Sequence, residues 1–196
     1  MRRSNTINRE PRSGVVTLEF ILVAPVVFLT LIAIFEFGFL ALTLHGGHAA
    51  LIEGTRRGAE LYPANYPLDL NGTSDNDIAD QITEVMNEYL KIHGLEIVST
   101  DNGFPDTDCA NAQIVIERGD DVPLVRGDLV NFPTGYVCTP KGPDVDVDEI
   151  RVTLCFRLVD PGNPAGSGDP VPDWLSPYGF TLSDCMFEVS SRMTLE

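Results

Sequence analysis

Hydrophobic and polar positions divide the chain into a long apolar stretch and a mixed remainder. Between residues 15 and 44 the only charged side chains are Glu19 and Glu36. An α-helix rises 1.5 Å per residue, so the uncharged residues 20–35 reach about 24 Å and the whole run about 45 Å. A bilayer has a hydrocarbon core about 30 Å thick. The pattern therefore predicts one membrane-spanning helix over residues 15–44.

Charge next to this helix predicts its orientation. Four arginines precede it, and they are Arg2, Arg3, Arg9 and Arg12. Positive charge stays on the cytoplasmic side of a membrane. Residues 1–14 are therefore predicted to be a cytoplasmic leader, and everything after the helix is expected outside.

Two further helical stretches follow. In residues 49–62 one stripe is formed by Leu51, Thr55, Ala59 and Tyr62, and Pro63 ends it, so residues 45–63 extend the first helix. After a linker, Gly94 ends a second helix with an apolar face. That face consists of Ile78, Ile82, Val85, Met86, Tyr89 and Leu90.

A short polar motif, His45-Gly46-Gly47-His48, ends the apolar run. It predicts a flexible hinge at the outer membrane interface. The alternative is a metal ion held by the two histidines. No Cys, Asp or Glu stands beside them at ligand spacing, and the hinge is preferred.

From Leu95 onward the hydrophobic period becomes two, which is typical of strands. Strands are predicted at residues 95–100, 113–118, 149–159 and 183–195. In the third strand Ile150, Val152, Leu154, Phe156 and Leu158 should point inward, with Arg151, Thr153 and Arg157 outward. In the last, Phe187, Val189 and Met193 should point inward. This alternation suits an antiparallel sheet with one face on a helix. The fold class is thus α+β, with a long transmembrane helix and an external domain, residues 64–196, of a helix and about four strands.

Two long Pro- and Gly-rich loops, residues 119–148 and 160–181, connect these strands. Loops of this length are unusual in a compact domain, and disulfide bonds would stabilise them. Cys109, Cys138, Cys155 and Cys185 all lie outside by the orientation argument, and three connectivities are possible. The expected pairs are Cys109 with Cys138 and Cys155 with Cys185. Each disulfide would contribute about 3–4 kcal/mol in the chain-entropy model. A zinc site is the rival, but no pair has the usual close spacing.

Charge narrows the possible partners. The net charge is -16, of which residues 1–14 supply +3, the apolar helix -2 and the remainder -17. So acidic a domain will not bind nucleic acid by neutralising phosphates. The run Asp144-Val145-Asp146-Val147-Asp148-Glu149 admits a calcium site, but it lacks the Gly and spaced Glu of an EF-hand, and a solvated acidic face is preferred.

Catalytic signatures are missing from the sequence. We find no Gly-rich phosphate loop, nucleophile elbow or paired His-carboxylate motif. The prediction is a protein that is not an enzyme and that carries no cofactor or metal.

Glu19 is the residue that most needs an explanation. An ionised carboxylate within a membrane segment costs a few kcal/mol and usually has a partner. Arg12 or the lipid headgroup region is one candidate partner. The other is suggested by the sequence around it.

Residues 14–19, Gly-Val-Val-Thr-Leu-Glu, resemble the class III signal of type IV prepilins. The wider pattern adds Phe20 and Pro25, then Glu36-Phe37-Gly38, and Ala49-Ala50 ahead of Glu53-Gly54 and Arg56. It is similar to the TadE-like pseudopilins of tight-adherence (Flp) pilus systems, over about the first 60 residues.

This resemblance implies that a membrane aspartyl prepilin peptidase cuts between Gly14 and Val15. Glu19 would then be the fifth residue of the mature chain and set subunit register, with Phe20, Pro25 and Glu36 as further assembly positions. It also implies partners: other pilin or pseudopilin subunits and an inner-membrane Tad assembly platform. The location would be the bacterial inner membrane, single-pass, with the C-terminal domain periplasmic or extracellular.

The implied roles have physical content. A new ammonium on Val15 and a neighbour's Glu19 carboxylate 4 Å apart attract by about 4 kcal/mol at an effective dielectric of 20. Pro25 should kink or locally melt the helix, unless it is merely tolerated there. Glu36 lies about 25 Å beyond Glu19 and should reach the outer interface.

Three alternative interpretations of the N-terminal segment stay open. One is a pseudopilin of a general secretion system. Another is a conventional secretory signal cleaved near Gly47-His48-Ala49. The third is a periplasmic binding protein or enzyme held by an uncleaved anchor, for which Glu19 would be incidental.

Overall fold

The computed structural model describes most of the chain. It covers residues 13–62, 73–97, 111–119, 123–127, 138–140, 142–159, 169–183 and 185–195, without the side chains of 13–15 and 73–76. The elements are α1 (Ser13–Leu61), α2 (Thr73–Leu90), β1 (Ala112–Arg118), β2 (Leu124–Arg126), β3 (Glu149–Arg157) and β4 (Met186–Thr194). Short 3-10 turns occupy Lys91–His93 and Ser176–Tyr178. The chain divides into two compact units, Met1–Phe35 and Glu36–Glu196.

The first unit contains the N-terminal part of α1. Its side chains from Val16 to Phe35 are exposed or half-buried. The most apolar 18-residue window of α1 has a mean hydropathy of 2.6 and none of it is buried. Helix α1 is therefore long and apolar enough to cross a membrane, and the predicted N-terminal apolar helix is confirmed.

The second unit packs the rest of α1, together with α2, on a four-stranded antiparallel sheet. The strand order is β2-β1-β3-β4. Leu154 of β3 lies between Ile114 of β1 and Val189 of β4. Leu51 of α1 and Ile82 of α2 lie in the same buried core as these three strand residues. The predicted α+β class with an antiparallel sheet is confirmed.

Periodicity predicted the helical core faces well. Leu51, Thr55, Ala59 and Tyr62 are all buried, and Ile82, Met86 and Leu90 of α2 are fully covered. Tyr89 was placed on the α2 core face, but 40% of it is exposed. Helix and sheet therefore meet mainly through the expected stripes.

The predicted hinge at residues 45–48 is wrong. Helix α1 runs through it without a break, and Gly46 and Gly47 are buried. A Cβ atom on Gly47 would lie 3.2 Å from the Phe156 ring, and one on Gly46 would overlap the His93 ring. The glycines are there because the helix approaches its neighbours too closely for a side chain.

The set of strands also differs from the prediction. Residues 95–100 were expected to form a strand, but of those described only Ile97 makes a bridge, parallel to Ala112. The Asn87 side chain accepts from the Ile97 N–H at 2.9 Å and donates to its carbonyl at 2.8 Å. These bonds replace a strand partner. The fourth strand is instead β2, inside the expected loop 119–148.

Both faces of the central strand are covered, which corrects the one-face prediction. Ile150 and Phe156 face the helices as predicted, yet Arg151, Thr153 and Arg157 are also buried. Arg151 donates to the carbonyl of Pro143 at 2.8 Å. A covering segment that includes Cys138 and Pro143 therefore encloses the second face.

The predicted disulfide pairing is wrong as well. Cys138 is bonded to Cys155. Cys155 lies opposite Glu188 in the β3–β4 register, three residues from Cys185. Because strand side chains alternate between faces, Cys155 and Cys185 point to opposite sides of the sheet. Cys185 packs against the helix-facing core as a free thiol, and Cys109 lies outside the described residues.

Candidate functional site

The sequence-predicted cleavage point lies at the start of α1. Ser13 is the first described residue and is already helical, so the peptide bond between Gly14 and Val15 lies within α1.

Glu19 follows Val15 by four residues on the same helix, so both lie on one helical face. The Glu19 side chain is exposed, as is the Phe20 ring at 70%. Within the described ranges nothing forms a hydrogen bond or ion pair with the Glu19 carboxylate. Arg12, the partner considered from the sequence, lies outside those ranges. The carboxylate is available to a group from elsewhere.

Pro25 lies inside α1, which continues on both sides of it. Pro has no N–H to donate to the carbonyl four residues earlier, that of Ile21. The helix is not melted at this position. Of the two structural effects expected from Pro25, local melting is therefore not observed.

Glu36 has surroundings opposite to those of Glu19. It is 1% exposed, and its Oε2 atom accepts the backbone N–H of Leu175 at 2.9 Å. Its Oε1 atom is also buried and meets no hydrogen-bond donor among the described residues. Sequence reasoning gave Glu36 no chemistry. Its partner comes from a loop 139 positions away, for which the sequence carries no signal.

Charged side chains on the surface of the second unit pair with one another. On α1, Arg56 bonds both Glu53 and Glu60. The hydrogen bond from Arg56 lowers the pKa of the Glu53 carboxyl. These exposed pairs shape the surface of α1 without creating a reactive group.

A second ion pair is enclosed by the sheet. Arg151 of β3 makes two hydrogen bonds to Glu117 of β1, at 2.6 and 3.0 Å. The two residues are direct partners in the β1–β3 register. The bond to Glu117 raises the pKa of the Arg151 guanidinium. This pair is structural, since it fastens two strands to each other.

The acidic run 144–149 is an irregular segment held by arginine. Arg192 donates to the carbonyls of Pro143 and Asp144 and pairs with the Glu149 carboxylate at 3.1 Å. The side chains of Asp144, Asp146 and Asp148 are exposed. Over the described ranges no three His, Cys, Asp or Glu side chains are placed to hold a metal ion. The solvated acidic face fits this segment better than a calcium site.

One cavity of about 320 Å³ lies in the second unit. Its lining is Phe39, Leu42, Thr43, Ile92, His93, Gly94, Asp169 and Pro170. Phe39, Leu42, Ile92 and Pro170 supply its apolar surface, and His93, Asp169 and Thr43, whose hydroxyl donates to the Phe39 carbonyl at 3.0 Å, add polar groups.

The geometry defines a class of protein: in the described part of the chain, one N-terminal helix is long and apolar enough for a membrane anchor, and this helix continues into an α+β domain. Residues 14–59 match the family model described as TadE-like protein. The resemblance predicted from the sequence is thereby confirmed over residues 14–59, which are less than half of the chain. No curated protein and no solved structure matches the chain.

The match covers nearly all of α1 and ends before α2 and the sheet. Gly14, Val15, Glu19, Phe20, Pro25 and Glu36 all lie within it. The match thus concerns α1 and does not extend to the rest of the α+β domain.

Proposed function

We propose that this protein is a minor pilin or pseudopilin of a tight-adherence pilus or secretion apparatus, cleaved after Gly14 by a prepilin peptidase. Before cleavage it is held in the bacterial inner membrane with its N-terminus in the cytoplasm. The observation that supports this most is the exposed apolar helix with a free carboxylate at Glu19, five residues after Gly14, inside a TadE-like segment.

Cleavage changes the charge at the helix start. The leader with its four arginines leaves, and Val15 acquires an ammonium group one turn from Glu19. In an assembled fibre the Glu19 carboxylate of one subunit pairs with the Val15 ammonium of its neighbour. Such a pair attracts by about 4 kcal/mol at 4 Å and effective dielectric 20, and it forms only after cleavage. Assembly is therefore conditional on processing.

The subunit's other partners follow from the same model. The peptidase reads the first turn of α1, and other pilin or pseudopilin subunits pack against the exposed apolar face. An inner-membrane Tad platform takes the subunit out of the bilayer. The external domain, with its covered sheet and surface ion pairs, is the part presented to the periplasm or cell surface.

Co-expression with and without a prepilin peptidase, followed by intact-mass and N-terminal analysis, tests the cleavage. We expect a peptidase-dependent new terminus at Val15. Gly14→Val should block it, since the class III signal that residues 14–19 resemble has Gly directly before the cut. Gly38→Val is the matched control, because a side chain at Gly38 meets open space. Cleavage that is unaffected by Gly14→Val would reject the assigned site.

A second candidate is a periplasmic binding protein or enzyme on an uncleaved anchor. A terminus that stays at Met1 would favour it, and one near Ala50 would indicate an ordinary secretory signal. Glu19→Gln separates the models further: a pilin should still be cleaved but fail to assemble. Glu88→Gln, at an exposed carboxylate of α2, is the charge-matched control and should assemble normally.

A further inference from the structure

A short uncharged loop presents aromatic rings to solvent. Residues 174–180, Trp-Leu-Ser-Pro-Tyr-Gly-Phe, lie between β3 and β4, and we call them the aromatic loop. Trp174 is 49% exposed, Tyr178 65% and Phe180 43%. Soluble surfaces seldom display three large aromatic rings on seven consecutive residues without a partner for them.

The aromatic loop is seated on α1 just after its exposed apolar run. Phe180 contacts Phe37 at 5.5 Å between ring centroids, and Trp174 meets Phe39 edge-on at 6.2 Å. Both Phe37 and Phe39 keep more than two fifths of their surface exposed. The loop and this turn of the helix thus form one continuous aromatic surface.

Hydrogen bonds give the loop a fixed shape. Glu36 accepts the Leu175 N–H, and Tyr178 donates its N–H to the Leu175 carbonyl at 2.9 Å. Gly179, at φ 90°, donates to the Ser176 carbonyl and closes the turn. The Thr181 hydroxyl bonds Asp173 at 2.8 Å at the base of the loop. The exposed aromatic rings are therefore carried by a turn whose backbone is fixed by hydrogen bonds.

The position of Phe37 and Phe39 along α1 indicates what covers the aromatic surface. Residues 16–35 would span about 30 Å as a helix, which equals the hydrocarbon thickness of a bilayer. A helix that enters the membrane at Val16 leaves the hydrocarbon near Phe35. Phe37 and Phe39 follow within about 6 Å along the helix axis. The aromatic surface begins where a membrane-spanning α1 reaches the headgroups.

We propose that the aromatic loop is an interfacial anchor, which inserts Trp174, Tyr178 and Phe180 into the headgroup region of the leaflet facing the external domain. Trp and Tyr favour this layer because their rings are apolar and their N–H and O–H groups stay hydrated. The loop carries no charge to desolvate, and its ring partners Phe37 and Phe39 directly follow the membrane segment in sequence. The inference rests on the membrane span of α1 and is independent of cleavage after Gly14.

Charge selects the kind of lipid. The chain beyond residue 44 has a net charge of -17, so an anionic leaflet would repel the domain. The aromatic loop therefore fits a zwitterionic headgroup layer best. Interfacial aromatic anchors set the tilt and rotation of a membrane helix, and this one would hold the external domain against the bilayer until the subunit is withdrawn.

The protein contains a single tryptophan, Trp174, which reports on the proposal directly. The full unprocessed chain would be reconstituted in phosphatidylcholine nanodiscs, with and without lipids brominated near the headgroup. We expect a blue-shifted Trp174 emission, strong quenching by the shallow bromolipids and weak quenching by aqueous acrylamide. Adding the anionic lipid phosphatidylglycerol should make Trp174 more accessible to acrylamide, because the acidic domain is repelled from the bilayer.

A matched control moves the reporter to the other end of the sheet. Val147 is 74% exposed and precedes β3, whereas the aromatic loop follows it. Strand β3, nine residues or about 30 Å long, begins just after Val147, and the Leu158 carbonyl beyond its other end accepts the Val171 N–H at 3.3 Å. Trp174→Phe combined with Val147→Trp should give red emission that acrylamide quenches and bromolipid does not.

Two outcomes would overturn the proposal. One is a Trp174 that behaves like the Val147→Trp reporter. The other is a Trp174 shielded from acrylamide and bromolipid alike, which would mean that a second protein copy covers the loop. Carbonate extraction of the same membranes reports separately on the span, and N-terminal analysis on the pilin model, so each failure is distinguishable.

Discussion

The Oε2 atom of Glu36 accepts the backbone N–H of Leu175 at 2.9 Å, which joins two residues 139 positions apart. Leu175 is buried at 9% exposure and Glu36 at 1%. A buried donor or acceptor without a partner costs about 1–3 kcal/mol, so each group depends on the other. The aromatic loop is therefore fastened to α1 through one hydrogen bond to a carboxylate.

Glu36→Ala should loosen this attachment. The substitution leaves the Leu175 N–H without its acceptor, and we expect a loss of about 1–3 kcal/mol in the free energy of unfolding. Near-ultraviolet circular dichroism of the full chain in micelles, followed through urea unfolding, measures it. Acrylamide quenching of Trp174 should increase in the same variant, because the loop is no longer held.

Glu36→Gln is the matched control for that change. Its side-chain oxygen still accepts from Leu175, and its amide group replaces the Oε1 atom that meets no donor among the described residues. Stability should stay close to that of the parent chain. Equal losses for Ala and Gln would show that the negative charge, and not the acceptor, is what the loop requires.

The disulfide makes a second prediction. Cys138 and Cys155 are 17 residues apart, and a loop of that size constrains the unfolded chain by about 3 kcal/mol. The double variant Cys138→Ala/Cys155→Ala should lose about that much stability. Urea unfolding under non-reducing conditions, with mass spectrometry of alkylated thiols, tests both the energy and the pairing.

Cys185→Ala is the control, because this thiol is free and half-buried in the described structure. It should leave the disulfide intact and change stability much less. If Cys185→Ala instead cost as much as the double variant and freed Cys155 for alkylation, the pairing of Cys155 with Cys185 would be restored.

The predictions that were confirmed came from sequence patterns within single helices and strands. The apolar run, the stripe from Leu51 to Tyr62 and the TadE-like motif around Gly14 and Glu19 each lie within one helix, where the period of 3.6 residues decides which side chains are buried. The β3 and β4 core faces were predictable for the same reason. Such features depend on neighbours in sequence.

Features that depend on distant segments were not predictable. Arg151 is buried because the segment around Pro143 covers it, and an alternating strand looks the same with its second face covered or solvated. Gly47 is a packing position only because Phe156 lies against it. Glu36 likewise acts as a hydrogen-bond acceptor only because the Leu175 N–H lies next to it. In each case the deciding contact comes from a loop without periodicity.

The close approach of α1 to α2 makes a third prediction. A Cβ atom on Gly54 would lie 2.5 Å from Cγ and 2.6 Å from Sδ of Met86, which is fully buried. Gly54→Ala should therefore destabilise the domain by about 1–3 kcal/mol through overpacking, despite the better helix propensity of Ala. Urea unfolding of the full chain in micelles measures the loss.

Gly38→Ala is the helix-matched control for Gly54→Ala. Nothing lies within 4 Å of its added Cβ, so only the gain in helix propensity, about 1 kcal/mol or less, remains. The double variant Gly54→Ala/Met86→Ala should recover part of the loss by removing the clashing side chain. A Gly54→Ala protein as stable as Gly38→Ala would mean that the two helices can separate without cost.

The enclosed pair of Glu117 and Arg151 makes the last prediction. The Arg151 side chain is 9% exposed and Glu117 16%. Glu117→Ala leaves a nearly buried guanidinium with only the Pro143 carbonyl among its named acceptors, and we expect a loss of about 3–5 kcal/mol. Glu53→Gln, which removes half of an exposed pair on α1, is the control and should leave the urea midpoint near that of the parent.

A double replacement distinguishes an uncompensated charge from lost strand contacts. Glu117→Leu/Arg151→Met removes both charges at once and fills similar volume, so it should be far more stable than Glu117→Ala. If the double variant is as unstable as the single one, the β1–β3 register needs the two hydrogen bonds themselves. If Glu117→Ala matches Glu53→Gln, the pair is hydrated in solution and contributes nothing to the sheet.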